Sequence, residues 1–269
     1  MKDENNPNVP AALKAKIADH IKELAQETDK ARITETMQKY LNFFANFYNY
    51  SLFNQFLIML HRPDSTRVAG YTDWVKRHRY VKKGEKGIPI LAPCPKIIKD
   101  DEGNVIGKQV NYFKTVYVFD ITQTDGEPVP PAPEWKSQEK RPDLEKALTQ
   151  YAESLGIKVI VEDLSAIGAQ GMSSGKKITL DPAAGTKTLI HEITHEMLHQ
   201  NRKAITQSRQ EVELEAEAVA YVVARALGMD NLKSPNYLAI WEADSEKIMD
   251  RFNIIHKTAQ EILKNLIIS

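Results

Sequence analysis

The sequence predicts an α+β protein of two domains, an α+β domain followed by a mainly helical domain with a small sheet. Three observations predict it. The apolar period changes from about 3.6 to 2 and back along the chain. A proline-rich stretch divides the 269 residues near their middle. Basic charge gathers on one side of that stretch although the whole chain is neutral, with 36 basic and 36 acidic side chains.

Residues 11–60 read as helical. "AALKAKIADHIKELAQ" spaces Leu13, Ile17, Ile21 and Leu24 by three and four, the spacing of an amphipathic helix. "TETMQKYLNFFANFYNYSLFNQFLIML" continues as a second, aromatic-rich helical segment that stops before Pro63. "KGIPILAPCPKII" and "QVNYFKTVYVFDITQ" are β-branched and aromatic, with "DDEGNVIG" as the turn of a hairpin. The first domain is expected over 1–126. Residues 127–142 hold five prolines and read as a linker, since proline neither continues a helix nor serves a central strand.

The second domain is expected over 143–269. "LEKALTQYAESLG" is a helix ended at Gly156, "IKVIVED" a strand, and "GMSSGKKITLD" a turn and a further strand. Two helices follow over about 186–203 and 208–228. The second ends at Gly228, and two more helical segments close the chain.

Composition is that of a soluble globular protein, 42% apolar and 27% charged. "MKDENNPNVPAAL" lacks the basic and apolar regions of a secretory signal, and no run approaches the roughly 18 apolar residues of a membrane span. Cys94 is the only cysteine, so no internal disulfide forms. A cytoplasmic location is the expectation.

"LIHEITHEMLHQ", residues 189–200, carries the chemistry. On a helix, His191 and His195 point the same way and can reach one cation. Glu192, one residue on, can contact a water on that cation without ligating it. This is the H-E-x-x-H arrangement of zinc peptidases, with glutamate as general base. The five-residue pattern also recurs by chance, and its place on a strong helical pattern is what favours the metal. His199 lies about 12 Å along the axis from His191, too far for the same ion. It reads as a helix-end or pocket-wall residue.

The third ligand is sought on "RQEVELEAEAVAYVVARALG". With Val219 at zero and steps of about 100°, Val212, Ala216, Val222, Val223 and Ala226 fall within about 60° and form the buried stripe. Glu213 and Glu217 fall at about 120° and 160°, on the solvated side, and Glu211 at about −80°, on the rim, while Glu215 falls at about −40°, inside the stripe. A buried carboxylate needs a partner, and a zinc ion held by the two histidines of the preceding helix is one; the alternatives are a buried salt bridge or a helix edge turned to water.

"HEITH" followed by "ELEAEAVAY" resembles the ImmA/IrrE-type metallopeptidase domains, over roughly residues 143–230. The resemblance implies that the E-x-E-A segment supplies the third zinc ligand, with Glu215 in that position, and that the strand of "GMSSGKKITL" can bind extended substrate.

In the first half, residues 61–99 hold ten Lys or Arg against three acids, a local net charge of +7. Tyr71, Trp74 and Tyr80 interleave with Arg67, Lys76, Arg77, Arg79, Lys82, Lys83 and Lys86. Cations neutralise phosphates and flat side chains stack on unpaired bases, the makings of a single-strand platform. The plain alternative is a solvated basic face over core aromatics. The run from "YNYSLFNQF" through "VKKGEKGIPILAP" to "VFDITQTDG" resembles the N-terminal domain of ArdC-type antirestriction proteins, over about residues 30–126. That resemblance implies a single-stranded-DNA binder of a mobile element, fused to a zinc metallopeptidase-like domain and protecting incoming DNA from host restriction. The chain departs from the family at "WVKRHRY", where His78 stands in place of the usual glycine and Tyr80 lengthens the spacing. Zn²⁺ is the expected cofactor, and single-stranded DNA and a protein or peptide substrate the expected partners. Three other readings stay open: a DNA-coating protein whose metal domain is structural, a regulatory protease that cuts a repressor, and a globular protein with neither activity.

Overall fold

The structure, a computed structural model, describes residues 8–27, 30–99, 102, 105–128, 140–199, 208–229, 232 and 244–267. Its mixture of helices and small sheets is α+β, as expected. The chain divides into two packed units, Met1–Lys22 with Tyr50–Pro130, and Glu23–Asn49 with Pro131–Ser269.

Helix α1 (Asn8–Ala25) buries Leu13, Ile17 and Ile21, the stripe read from the sequence, while Leu24 is half-buried and Ala25 completes the stripe. The aromatic-rich segment expected as one helix is two, α2 (Lys30–Asn46) and α3 (Leu52–His61). The chain breaks at 47–51, where the Ser51 hydroxyl accepts from the Asn54 N–H and caps α3.

The first unit is built on the expected hairpin. Strand β3 (Ile88–Lys99) pairs antiparallel with β4 (Val105–Asp120). Short β1 (Val68–Gly70) adds to the other edge of β4, giving the order β1-β4-β3. The open edge of β3 is met by α3: Asn54 donates to Leu91 O and accepts from Leu91 N, both at 2.9 Å. One amide thus pairs both backbone groups of Leu91 on that edge. Helix α4 (Tyr71–Lys76) follows β1, and β2 (Arg79–Val81) pairs with β5 (Thr124–Gly126). These short elements carry too few residues to show a period.

In the second unit, α5 (Pro142–Ser154) begins with proline at its first turn, where the missing N–H costs nothing. A three-stranded sheet of order β6-β8-β7 follows, from β6 (Lys158–Val161), β7 (Gly171–Ser173) and β8 (Lys177–Leu180). The expected turn at "GMSSG" is therefore strand β7 plus a turn. Helices α6 (Thr186–Leu198), α7 (Arg209–Ala226) and α8 (Ser245–Ile267) pack with α2 and α5 around Phe44, Leu148, Leu189, Ile193, Val219 and Phe252. Helix α6 ends earlier than the expected 203, with His199 at its C-cap. Most of the expected linker and the first of the two closing helical segments lie outside the described residues.

The packing units do not follow chain order. Glu23–Asn49 falls within the expected first domain, yet α2 lies against α7 and α8: Tyr40 and Phe44 meet the Phe252 ring at 5.2 and 5.5 Å, and Tyr221 donates to Asn42 Oδ1 at 2.9 Å. Among the described residues no helix is long and apolar enough to cross a membrane.

Candidate metal centre and basic loop

Helix α6 places His191 and His195 on one face, and their Nε2 atoms stand 2.9 Å apart. Glu213 Oε2, from α7, lies 3.5 Å from His191 Nε2 and 3.4 Å from His195 Nε2. These three atoms form the candidate metal cluster of the described residues. Donors bonded to a tetrahedral ion at about 2.0–2.1 Å stand about 3.3 Å from one another, so the triangle fits a divalent metal bound by two imidazoles and a carboxylate. Behind it, Glu217 Oε2 is 3.4 Å from His191 Nδ1 and also pairs with Lys187. A carboxylate behind a ligating histidine fixes the ring and raises its basicity.

The third corner is Glu213, not the Glu215 expected from the sequence. Glu215 is fully buried, as the helical stripe implied, but its oxygens are taken. Oε1 pairs with Arg251 of α8, and Oε2 lies 3.2 Å from His199 Nε2. The buried salt bridge is the partner that its burial required. The wheel missed Glu213 because it measured burial against the stripe of α7 alone, whereas α6 and its cluster lie off that stripe. A carboxylate half-exposed at the rim of a helix, on the side where His191 and His195 arrive, is the better sign of a ligand. Arg251 had no signal in local spacing, since it lies 36 residues beyond Glu215.

Electrostatics suit the cluster. Burial, then the adjacent His191, holds His195 below the ordinary histidine pKa, which keeps its imidazole neutral. Burial pulls His191 the same way, but Glu217, Glu192 and Glu213 overcome it and raise its pKa. Glu217 is lowered because hydrogen bonds to His191 and Lys187 outweigh its burial. Glu192 is buried and its pKa raised, first by burial and further by Glu213 and Glu196, against the pull of His191.

Glu192 docks on β7, where the Ser173 N–H donates to its carboxylate. Gly171 permits that approach: a Cβ there would stand 2.7 Å from Glu192 Oε1 and 2.9 Å from Thr188 Cγ2. The cluster opens into a cleft of about 630 Å³ lined on one side by β7, including Met172, and on the other by α6 and α7. The turn after β7 is pinned by Glu196, whose carboxylate accepts from the Gly175 and Lys176 N–H groups at 3.0 and 2.6 Å. That gives Glu196 a structural role.

The basic stretch is sorted by its own packing. Trp74, expected to stack on bases, is fully buried and donates Nε1–H to Phe119 O at 2.8 Å. Arg79, expected on phosphate, donates to Thr124 Oγ1 and O and to the Gly126 and Glu127 carbonyls, clasping β5. Arg77 lies over the Trp74 ring at 5.7 Å, Lys76 pairs with Asp73 at 3.2 Å, and Lys82 reaches Thr122 O at 3.0 Å. Arg67 is half-buried, its backbone N–H donating to Asp120 Oδ2. Tyr71 and Tyr80 are 56% exposed, and Lys83 and Lys86 are exposed with no side-chain partner among the described residues. The sequence reading passed over Tyr112, Phe113 and Tyr117 of β4, which are also exposed.

The "VFDITQ" segment holds this loop in place. Buried Asp120 accepts from the Thr66, Arg67 and Thr122 N–H groups, which lower its pKa despite burial. Gln123 donates to Glu85 Oε2 and Lys86 O at 2.8 and 2.9 Å. His78 takes a left-handed φ of 55°, a region that histidine enters more readily than most side chains. Gly126 has no such freedom, since a Cβ on it would stand 2.2 Å from His78 O.

Fold and cluster together define an α+β protein with a two-histidine, one-glutamate centre suited to a divalent metal. Residues 8–119 match the family model of the N-terminal domain of anti-restriction factor ArdC. It is 26% identical over 281 residues to the uncharacterised Bacillus anthracis protein pXO2-81, a match covering 86% of this chain and 48% of the relative. The chain thus spans about half the length of the curated relative it matches. The metal-free crystal structure of antirestriction ArdC from plasmid R388 superposes with a TM-score of 0.49 at 20% identity, covering 81% of this chain and 85% of that one. The Mn(II)-bound structure of that protein gives 0.46 at 20% identity, over 81% and 89%.

Proposed function

We propose that the chain is a single-stranded-DNA-binding antirestriction protein with a zinc-dependent metallopeptidase centre at His191, His195 and Glu213. The observation that carries the enzymatic half is the triangle of donor atoms with buried Glu192 beside it. A divalent metal held there supplies a bound water of lowered pKa and polarises a peptide carbonyl. Glu192 is the proton acceptor, since burial favours its protonated form and Ser173 fixes its carboxylate. His195 stays neutral and so offers a lone pair. Exposed edge strand β7 can pair with an extended peptide, with Met172 flanking the cleft.

Support for antirestriction is the match of residues 8–119 to the N-terminal domain of anti-restriction factor ArdC. Support for DNA binding is the loop 82–87, where Lys83 and Lys86 are free, with exposed Tyr71 and Tyr80 on the same unit. Phosphate contacts release counterions, so log affinity falls linearly with log salt by about 0.7 per phosphate on a single strand. The double variant Lys83→Ala/Lys86→Ala is expected to bind single-stranded DNA more weakly and to flatten that slope by about 1.4. An unchanged slope sinks the loop as the phosphate site. For the peptidase half, Glu192→Gln is expected to keep metal and DNA binding but lose proteolysis by at least about 100-fold. If antirestriction survives in that variant, the protein acts by binding DNA and not by cutting protein.

A further inference from the structure

We infer that His199, Glu215 and Arg251 form a buried positioning relay that fixes the ring and tautomer of the ligand His195; this rests on the metal reading above. His191 and His195 of α6 and His199 at its C-cap stand four apart, so their rings line one face, edge-on or tilted to one another. His195 uses both nitrogens: Nε2 faces the donor triangle, and Nδ1 lies 3.0 Å from His199 Nδ1. His199 Nε2 in turn lies 3.2 Å from Glu215 Oε2, and Glu215 Oε1 pairs with Arg251. The second arm of the Arg251 fork holds Glu211, whose carboxylate also caps α7 at Ser208. His199 and Glu215 are both buried, at 7% and 0% exposure, so no water shell can substitute for these bonds.

The direction of the protons follows from the last partner. Glu215, locked against a guanidinium, offers only acceptor oxygens. A neutral His199 then donates from Nε2, which leaves its Nδ1 as an acceptor. The His195 Nδ1 therefore carries the proton and donates it, and His195 Nε2 is left with its lone pair toward Glu213 and His191. The reverse arrangement would set the His199 Nε2 lone pair against a carboxylate. A chain of this kind orients the ligand and settles its tautomer before metal arrives. It also gives Glu215 a use that excludes direct ligation, and it makes α8 part of the metal site although none of its residues reaches the triangle.

The test measures Zn²⁺ affinity by competition with a chelator, and the visible spectrum of the Co²⁺ form, on the full chain. His199→Leu removes the acceptor and is expected to weaken zinc 10- to 100-fold. His199→Asn places an amide oxygen where Nδ1 was and is expected to recover most of that loss. Wild-type affinity and spectrum in His199→Leu would overturn the relay, as would equal weakness in His199→Leu and His199→Asn, which marks a packing role. Should His199→Leu lose helical structure, Glu215→Gln takes its place; its amide can donate as well as accept, so the proton order is no longer fixed and zinc is expected to weaken. Unchanged zinc affinity in Glu215→Gln would overturn the inference. Glu213→Ala and His195→Ala run alongside, and if these bind zinc as wild type does, it is the metal reading that fails.

Discussion

Glu213 and Glu215 stand two residues apart on one helix and do different things. One sits half-exposed at the rim and faces two imidazoles; the other is fully buried and neutralised by Arg251. Burial alone therefore identifies a carboxylate that has a partner, not what the partner is. Trp74 and Tyr80 make a parallel case in the basic stretch, equivalent by residue type but opposite in exposure. Trp74→Ala is expected to destabilise the protein by about 3–5 kcal/mol in denaturant unfolding, whereas Tyr80→Ala changes stability little and weakens binding to single-stranded DNA. If Trp74→Ala unfolds like wild type but loses DNA, the side chain is not core. At this scale His191, Glu192 and His195 were legible, because helical spacing alone brings them together. Glu213 and Arg251 were not, because their roles depend on how α6, α7 and α8 cross.

Among the elements, β7 has the largest effect for its length. Three residues show no alternation, so the period alone offered a turn there and only the family resemblance offered a strand, yet this strand forms one wall of the cleft and holds Glu192. The signal present was Gly171, whose missing Cβ lets strand and helix approach so closely. Gly171→Ala is expected to displace Glu192 while leaving the His191–His195–Glu213 triangle intact. Zinc content should stay at the wild-type level and any proteolysis should fall at least about 10-fold. Full activity with zinc bound would mean that β7 does not position Glu192. The split between α2 and α3 has a similar origin. Apolar and aromatic residues continue through 47–51, so the period showed one helix; the break is made by Ser51 and by the two helices packing in different units.

At the scale of the whole molecule, the order of packing differs from the order of the chain. The change of period correctly indicated an α+β protein, and the hairpin and the H-E-x-x-H helix fall where expected. The placement of Glu23–Asn49 with the later residues was not legible, because an amphipathic helix does not declare which core receives its stripe. Basic loop and candidate metal cluster therefore belong to separately packed units, each beside its own polar network: Asp120 and Gln123 at the loop, His199, Glu215 and Arg251 at the donor triangle. The central claim is that His191, His195 and Glu213 bind a divalent metal. Metal analysis of protein purified without chelator, beside Glu213→Ala, tests it most directly. The account predicts a bound divalent metal, zinc by the present reading, near one per chain, and its loss in Glu213→Ala. No metal in the wild-type protein even after Zn²⁺ is added, or full occupancy in Glu213→Ala, would contradict it.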